Sequence, residues 1–187
     1  MKRIAIFGSP GSGKSTLARQ LSARTALPVI HLDTYYFNPG WVIKSDADFR
    51  QAITAAIAAD GWITDGNYTN ESQRTGRIDR ADTLILLERP RWLCLWRVIR
   101  RMVMYYGQVR PDQAAGCPER FDWAFLRFVW QFPVKVERTR QLLLSLSGQK
   151  SVYFLRSNAE IAHFLATAPE PLSVSTLLPP DRIDHAQ

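Results

Sequence analysis

Residues 8–15 read Gly-Ser-Pro-Gly-Ser-Gly-Lys-Ser and satisfy every fixed position of the pattern G-x-x-x-x-G-K-[ST]. Each fixed position has a chemical task. Gly8, Gly11 and Gly13 let the chain turn tightly, so that successive backbone N–H groups point inward at phosphate oxygens. A helix starting just after the loop adds unpaired first-turn donors and a partial positive charge. The Lys14 ammonium reaches the β- and γ-phosphates, and the Ser15 hydroxyl is an oxygen ligand for Mg²⁺. The spacing therefore predicts a site for a nucleoside triphosphate with its magnesium.

Three carboxylates stand at predicted strand ends, where such a site would need them. Asp33 closes Val29-Ile30-His31-Leu32-Asp33. There it would face the γ-phosphate, orient an acceptor hydroxyl and take its proton, or hold a metal-bound water. Asp65 closes Trp62-Ile63-Thr64-Asp65, hydrophobic residues followed by an aspartate, and would fix the water shell of Mg²⁺. Glu88, after Leu84-Ile85-Leu86-Leu87, is the alternative. Asp65 is preferred because Gly66-Asn67-Tyr68 follows it with backbone suited to close ligand approach. His31 alternates with Asp33 but reads as a hydrogen-bonded core residue and is left out of the site. Tyr35, Tyr36, Phe37 and Trp41 follow in one loop and are candidates to wall an acceptor pocket.

Arginine supplies the remaining chemistry. Of nineteen arginines, thirteen lie between Arg74 and Arg140. A guanidinium offers a planar fork for phosphate, where lysine offers only a point charge. Arg97, Arg100 and Arg101 share one face of a predicted helix, with Trp92, Leu95, Trp96, Ile99, Met102, Val103 and Tyr106 opposite. The helix leads into a polar loop at 107–120 containing Arg110, Pro111, Gly116, Pro118 and Arg120. That loop reads as a lid bringing arginines onto transferring phosphates and excluding water.

The elements that must position these groups follow from hydrophobic patterning. Short, nearly continuous apolar runs at Arg3–Gly8, Pro28–Asp33, Gly61–Asp65, Thr83–Glu88 and Ser151–Arg156 read as strands buried on both faces. Helical patterns lie between them at Lys14–Arg24, Asp46–Ala59, Pro90–Tyr106, Phe121–Leu146 and Asn158–Ala166. Pro133 should split the longest helix near Phe132, and Ser157 with Glu160 forms a capping box. The alternation predicts an α/β three-layer sandwich, a five-stranded parallel sheet with helices on both faces and a small helical lid. In such sheets ligands bind beyond the carboxyl ends of the strands. Six aromatics between Phe121 and Phe132 are expected to pack the lid helix onto the core, or to form a dimer face.

Composition bounds the rest. With 187 residues, 46% of them hydrophobic, the chain suits one α/β domain over 1–167, followed by an extended or disordered tail at 168–187. No stretch approaches the ~20 apolar residues of a membrane span, and no membrane partner is expected. The basic start, Met1-Lys2-Arg3, runs straight into the first strand and is not read as a signal peptide. Two cysteines, Cys94 and Cys117, cannot build a disulfide framework or a four-cysteine zinc site, so a reducing, cytoplasmic setting is expected. The net charge of +7 fits either a multiply phosphorylated ligand or nucleic acid.

Taken together, the phosphate loop, His31-Leu32-Asp33, Trp62–Tyr68 and the RxxRR at 97–101 resemble small P-loop kinases related to adenylate and shikimate kinases. The closest similarity is to the bacterial DNA topology modulation proteins, over residues 3–166. The resemblance implies a P-loop NTPase fold and ATP held by Gly8, Ser9, Pro10, Gly11, Ser12, Gly13, Lys14, Ser15 and Thr16. It implies an acceptor near Asp33, and lid arginines at Arg97, Arg100 and Arg101. Adenylate kinases follow their Asp-Gly with a Pro-Arg pair that grips the acceptor phosphate. Here Asn67-Tyr68-Thr69 follows, leaving Arg74 or Arg77 as substitutes, and the zinc-lid cysteines are absent.

The expected function is Mg²⁺-ATP-dependent phosphotransfer to a small molecule, a nucleotide or nucleoside, by a monomer or homodimer. Lys14, Asp33, Arg97 and Arg101 would act catalytically, Arg100 would bind ATP, and Ser15 and Asp65 would hold the metal. The alternative is an ATP-binding regulator that binds nucleic acid, although no helix-turn-helix, zinc-finger or RNA-binding signature appears. A GTPase is disfavoured by the lack of an Asn-Lys-x-Asp sequence.

Overall fold

The computed structural model describes residues 1–168; the tail expected at 168–187 lies, beyond Ala168, outside the described residues. The chain opens with β1 (Arg3–Gly8), α1 (Lys14–Thr25), β2 (Val29–His31) and α2 (Leu32–Tyr36). A two-stranded hairpin follows, β3 (Phe37–Asn38) and β4 (Val42–Ile43), then α3 (Asp46–Ala56) and β5 (Trp62–Asp65). Two short helices, α4 (Thr69–Arg74) and α5 (Arg77–Arg80), lead to β6 (Thr83–Leu87) and α6 (Arg91–Met104). After the loop at 107–120 come α7 (Trp123–Gln131), α8 (Pro133–Ser145), β7 (Ser151–Leu155) and α9 (Asn158–Thr167).

The main sheet has five strands in the order β2-β5-β1-β6-β7, and every pairing in it is parallel. Its two faces are read directly from β1. Ala5 and Phe7 join Leu84, Leu86, Phe49, Ile53 and Leu143 in one core, beneath α3 and α8. Ile4 and Ile6 join Ile85, Leu87, Leu17, Leu21 and Phe164 in the other, beneath α1 and α9. Period-two alternation in a strand that is apolar throughout therefore feeds two cores at once. Each fully buried Ile, Leu or Phe stabilises by about 1.5–3 kcal/mol relative to exposure, which holds β1 at the sheet centre.

The helix expected across Phe121–Leu146 is split at Phe132–Pro133, because a proline nitrogen cannot donate the next helical bond. The Ser157 hydroxyl caps α9 by accepting from the Glu160 N–H at 3.0 Å. Its carboxylate partner bonds the Arg156 N–H rather than that of Ser157 itself, one residue earlier than a capping box requires.

Two expectations change here. The second strand stops at His31, and Asp33 sits in the first turn of α2 instead of on a strand. The aromatics between Phe121 and Phe132 divide: Phe132 is buried, while Phe121, Trp123, Phe128 and Trp130 are exposed. The inward side of α7 belongs to Leu126 and Val129, which meet Cys94, Val98 and Met102 of α6. Among the described residues, no helix is long and apolar enough to cross a membrane.

Candidate active site

Gly8 and Gly11 are fixed by crowding as well as by turning. Both have left-handed φ, 143° and 78°. A Cβ on Gly8 would stand 2.7 Å from the Leu87 carbonyl, and one on Gly11 would stand 2.4 Å from that of Cys94. The loop can thus lie against β6 and α6 at once. Inside it, the Ser9 carbonyl accepts from the Ser12 N–H and from Lys14 Nζ, both at 3.0 Å. Asn67 Oδ1 accepts from the Gly8 N–H at 3.0 Å, tying the loop to the turn after β5. Ser12 Oγ is buried without a hydrogen-bond partner. A buried polar atom of that kind is costly unless a ligand satisfies it, and it fits a phosphate oxygen.

Register brings three acidic and basic groups to the loop. Asp65 pairs with Ile6 of β1 on one side and with His31 of β2 on the other. Its carboxylate accepts from His31 Nδ1 at 3.0 Å and from the Ser15 hydroxyl. Burial alone would raise the pKa of Asp65, but the His31 bond, the charge of Lys14 and the Ser15 bond together bring it below the ordinary carboxylate range. The residue is therefore an anion at neutral pH. The pKa of Lys14 is lowered as well: burial depresses it, against the attraction of Asp65 and Asp33. Ser15 and Asp65 form an adjacent pair of oxygen donors of the kind a hard cation takes. Glu88 is occupied elsewhere, bound to Arg140 Nε at 3.1 Å and Arg156 Nε at 2.7 Å. His31, left out on sequence grounds, is the residue that locks Asp65.

Asp33 reaches the same cleft from α2. Tyr68 Oη donates to its Oδ1 at 2.8 Å. Tyr68 holds φ at 28°, in the left-handed region, so the backbone is strained where it orients the carboxylate. Asp33 is accessible from solvent, yet the protein crowding around it raises its pKa, and Asp65 adds repulsion. The Tyr68 bond and the positive charges of Lys14 and Arg101 only partly offset this. A carboxylate with raised proton affinity, beside a lysine, is suited to accept a proton.

Of the four loop aromatics, Tyr36, Phe37 and Trp41 line the cleft, and Tyr35 instead packs against the core. Tyr36 is braced by the rings of Phe49 and Tyr68, at 5.1 and 4.7 Å between centroids.

The arginines separate by position. Arg97 lies over the loop, its Nη1 3.5 Å from the Gly11 carbonyl and 3.4 Å from that of Ser12. Arg101 Nε donates to Glu119 Oε1 at 2.6 Å. Arg100 points to the outer side, over the Trp96 ring at 5.5 Å, and does not line the cleft. Arg77 is not a substitute for an acceptor-gripping arginine. It is fully buried, donating to Thr64 Oγ1, Ser72 Oγ and the carbonyls of Gly66 and Ile6, with Phe7 under its guanidinium. Burial draws its pKa down to about 9, which leaves it charged at neutral pH. Arg74 pairs with Glu71 and lies outside the cleft lining. Lys135 and Arg138 of α8 do line the cleft, and no short motif marked them.

The loop at 107–120 is built around Glu119, which is 3% exposed. Its carboxylate holds Arg101 and stands 3.7 Å from Arg110 Nε. Its backbone bonds Gly107 and Gln108, closing the loop base. The loop tip is clasped to the hairpin: Gly40 N–H donates to the Gly116 carbonyl at 2.8 Å, and Trp41 Nε1 to that of Pro118 at 3.0 Å. Cys117 and Cys94 are free thiols, both buried.

Together these walls enclose a cleft of about 1700 Å³. Pockets for one small ligand run to roughly 300–1,000 Å³, so there is room for a nucleotide and a second molecule.

Residues 4–63, about a third of the chain, match the AAA family, the ATPase family associated with various cellular activities. Over most of its length the chain is similar in structure to a sugar kinase from Janibacter sp. HTCC2649, at 13% identity and TM-score 0.50, covering 89% of this chain and 93% of that one. It is similar to a gluconokinase from Sinorhizobium meliloti 1021, at 14% identity and TM-score 0.52, covering 89% of each. The chain has the P-loop NTPase fold. No curated protein matches it in sequence.

Proposed function

We propose that the protein is an ATP-dependent phosphotransferase, adenylate-kinase-like in layout, that phosphorylates a small molecule bearing an acceptor hydroxyl or phosphate, of the nucleoside or nucleotide class. One observation carries the reading: Lys14, Ser15, Asp65 and Asp33 converge at the floor of one cleft roomy enough for two ligands. A nucleotide-binding ATPase needs the first three alone. Asp33, with its raised pKa and its tyrosine partner, is placed beyond those three, where it would take the proton of an acceptor hydroxyl.

The residues fit Mg²⁺-ATP: an orphaned Ser12 hydroxyl in the loop, paired oxygen donors from Ser15 and Asp65, and a lysine held at the loop mouth. Mg²⁺ bound through phosphate and water needs only one or two protein oxygens, which Ser15 and Asp65 would supply. Bound there, Mg²⁺-ATP supplies the phosphoryl group and the cation that neutralises it. Lys14 and the loop amides stabilise charge on the β- and γ-phosphate oxygens. Asp65, held as an anion by His31, orients the metal's water shell. Asp33 accepts the acceptor's proton, and Tyr68 fixes the carboxylate for that transfer. Arg97 and Arg101 add positive charge on the α6 side, where they spread charge in the transition state. The resemblance of the phosphate loop, Trp62–Tyr68 and RxxRR to topology modulation proteins supports the nucleotide-related acceptor, and the sugar-kinase and gluconokinase neighbours support a hydroxyl one.

The test is a transfer screen with γ-labelled ATP across nucleosides, nucleoside monophosphates and hydroxylated metabolites. Label appearing on an acceptor is expected. Label appearing only as inorganic phosphate with every acceptor would refute the proposal.

A further inference from the structure

Four of the six tryptophans do not serve the fold or the cleft. Trp92 and Trp96 on α6 are 65% and 55% exposed, and Trp123 and Trp130 on α7 are also exposed. On α6 they continue into Ile99 and Val103, a spacing of four, three and four residues that draws one stripe along the helix, and Tyr106 is exposed just beyond its end. None of these side chains lines the cleft. The buried side of the same helix is Cys94, Val98 and Met102, so the stripe faces away from the core it is attached to.

The charge within these two helices has one sign. Helices α6 and α7 contain Arg91, Arg97, Arg100, Arg101 and Arg127 and not a single Asp or Glu. Arg97 and Arg101 turn into the cleft. Arg91 and Arg100 stay with the tryptophans, Arg91 over Trp130 at 5.0 Å and Arg100 over Trp96 at 5.5 Å. Tryptophan and arginine interleaved on an exposed apolar helix are the composition of a surface that lies at the headgroup level of a bilayer.

We infer that the outer face of α6 and α7 docks the protein onto an anionic membrane surface. The indoles and Val103 enter the headgroup–acyl boundary, and the arginines meet lipid phosphates. A second copy of the chain is disfavoured by charge, because pairing this face with itself opposes arginines to arginines in a chain of net charge +7. Nucleic acid is disfavoured by the aliphatic members of the stripe. Ile99 and Val103 offer no ring for a base to stack on, but both suit hydrocarbon. The inference does not depend on phosphotransfer.

The experiment is co-sedimentation of the full chain with vesicles of phosphatidylglycerol and phosphatidylcholine, against phosphatidylcholine alone. Binding is expected to be at least about tenfold tighter on the anionic vesicles and to weaken with salt. The variant Trp92→Ser/Trp96→Ser should bind anionic vesicles at least about tenfold more weakly, with an unchanged circular dichroism spectrum and melting temperature. A second variant, Val103→Ser, keeps the test open should the first not fold, and should also weaken binding. Equal binding by wild type and both variants would overturn the inference, as would equal binding to neutral and anionic vesicles. So would a dimer in light scattering that the variants dissociate, or a single-stranded oligonucleotide that binds through the same stripe.

Discussion

Replacing Arg77 by methionine separates a buried scaffold role from a ligand-binding one. Methionine keeps most of the volume and the contact with Phe7, and removes the guanidinium. Six acceptors lose a donor: Thr64 Oγ1 at 2.7 Å, Ser72 Oγ at 2.9 Å, Gly66 O at 3.0 Å and Ile6 O at 3.3 Å, and, more weakly, the Asn67 and Thr64 carbonyls at 3.5 Å. They are not equally harmed. Thr64 still donates to the Ile4 carbonyl, and the Ile6 carbonyl still accepts from the Gly66 N–H. That leaves the Gly66 carbonyl and the Ser72 hydroxyl stranded, each costing about 1–3 kcal/mol. Relief from burying an arginine charge offsets part of this, giving a net loss of about 2–4 kcal/mol. At a urea m-value of about 2 kcal/mol/M, the unfolding midpoint should fall by about 1–2 M. ATP affinity, measured well below the melting temperature, should stay within about threefold of wild type, since the side chain does not line the cleft. A midpoint shifted by less than about 0.3 M, with a tenfold rise in acceptor KM, would refute the scaffold role.

Three further perturbations follow from the site. Gly11→Ala places a methyl against the Cys94 carbonyl at a left-handed φ, so α6 must shift off the loop. Differential scanning calorimetry should show a loss of about 1–3 kcal/mol, and ATP binding should weaken with it. Asp33→Asn should lower transfer while raising stability. The native pKa of Asp33 is raised, so its ionisation costs folding free energy, and stability is lost as pH climbs from the unfolded value, 3.8, through the folded one. The variant's urea midpoint should therefore exceed wild type above that window and match it below. In the wild type, kcat/KM should rise with pH through the same raised value. Glu119→Gln frees Arg101 and Arg110 from their shared anion, and kcat should drop roughly 10–100-fold with ATP affinity little changed. An unaltered kcat would remove Glu119 from the positioning of the arginines.

The parts of this molecule legible in the sequence are those with local causes. A buried strand, a glycine loop and a helix follow one another within residues 3–25, and each residue there answers to its neighbours in sequence. The glycine after Asp65 separates it from Glu88 in the sequence, and in the structure Glu88 is held by Arg140 and Arg156. His31 was missed because its role comes from the pairing of β2 with β5, across 34 residues. Parallel strands that end level place their last side chains together, and that topological step would have found it. Asp33 was read onto a strand because Leu32 continues the apolar run. The helix there is a single turn of five residues, too short to leave a periodic signal. The sequence sorts α6 into an arginine side and an apolar side, but Arg100 stands with the exposed tryptophans and Met102 with the core. Loop contacts at Arg97 and Arg101 draw the basic side inward and leave the tryptophans outside, which no helical periodicity distinguishes.

The central claim is that Asp33 makes this cleft a transferase rather than a nucleotide-binding ATPase. It is tested most directly by single-turnover transfer of γ-labelled phosphate to the acceptor found in the screen, comparing wild type, Asp33→Asn and Lys14→Ala. The account predicts that Asp33→Asn binds ATP within about threefold of wild type yet transfers at least about 100-fold more slowly, while Lys14→Ala loses both. Wild-type transfer by Asp33→Asn would contradict it.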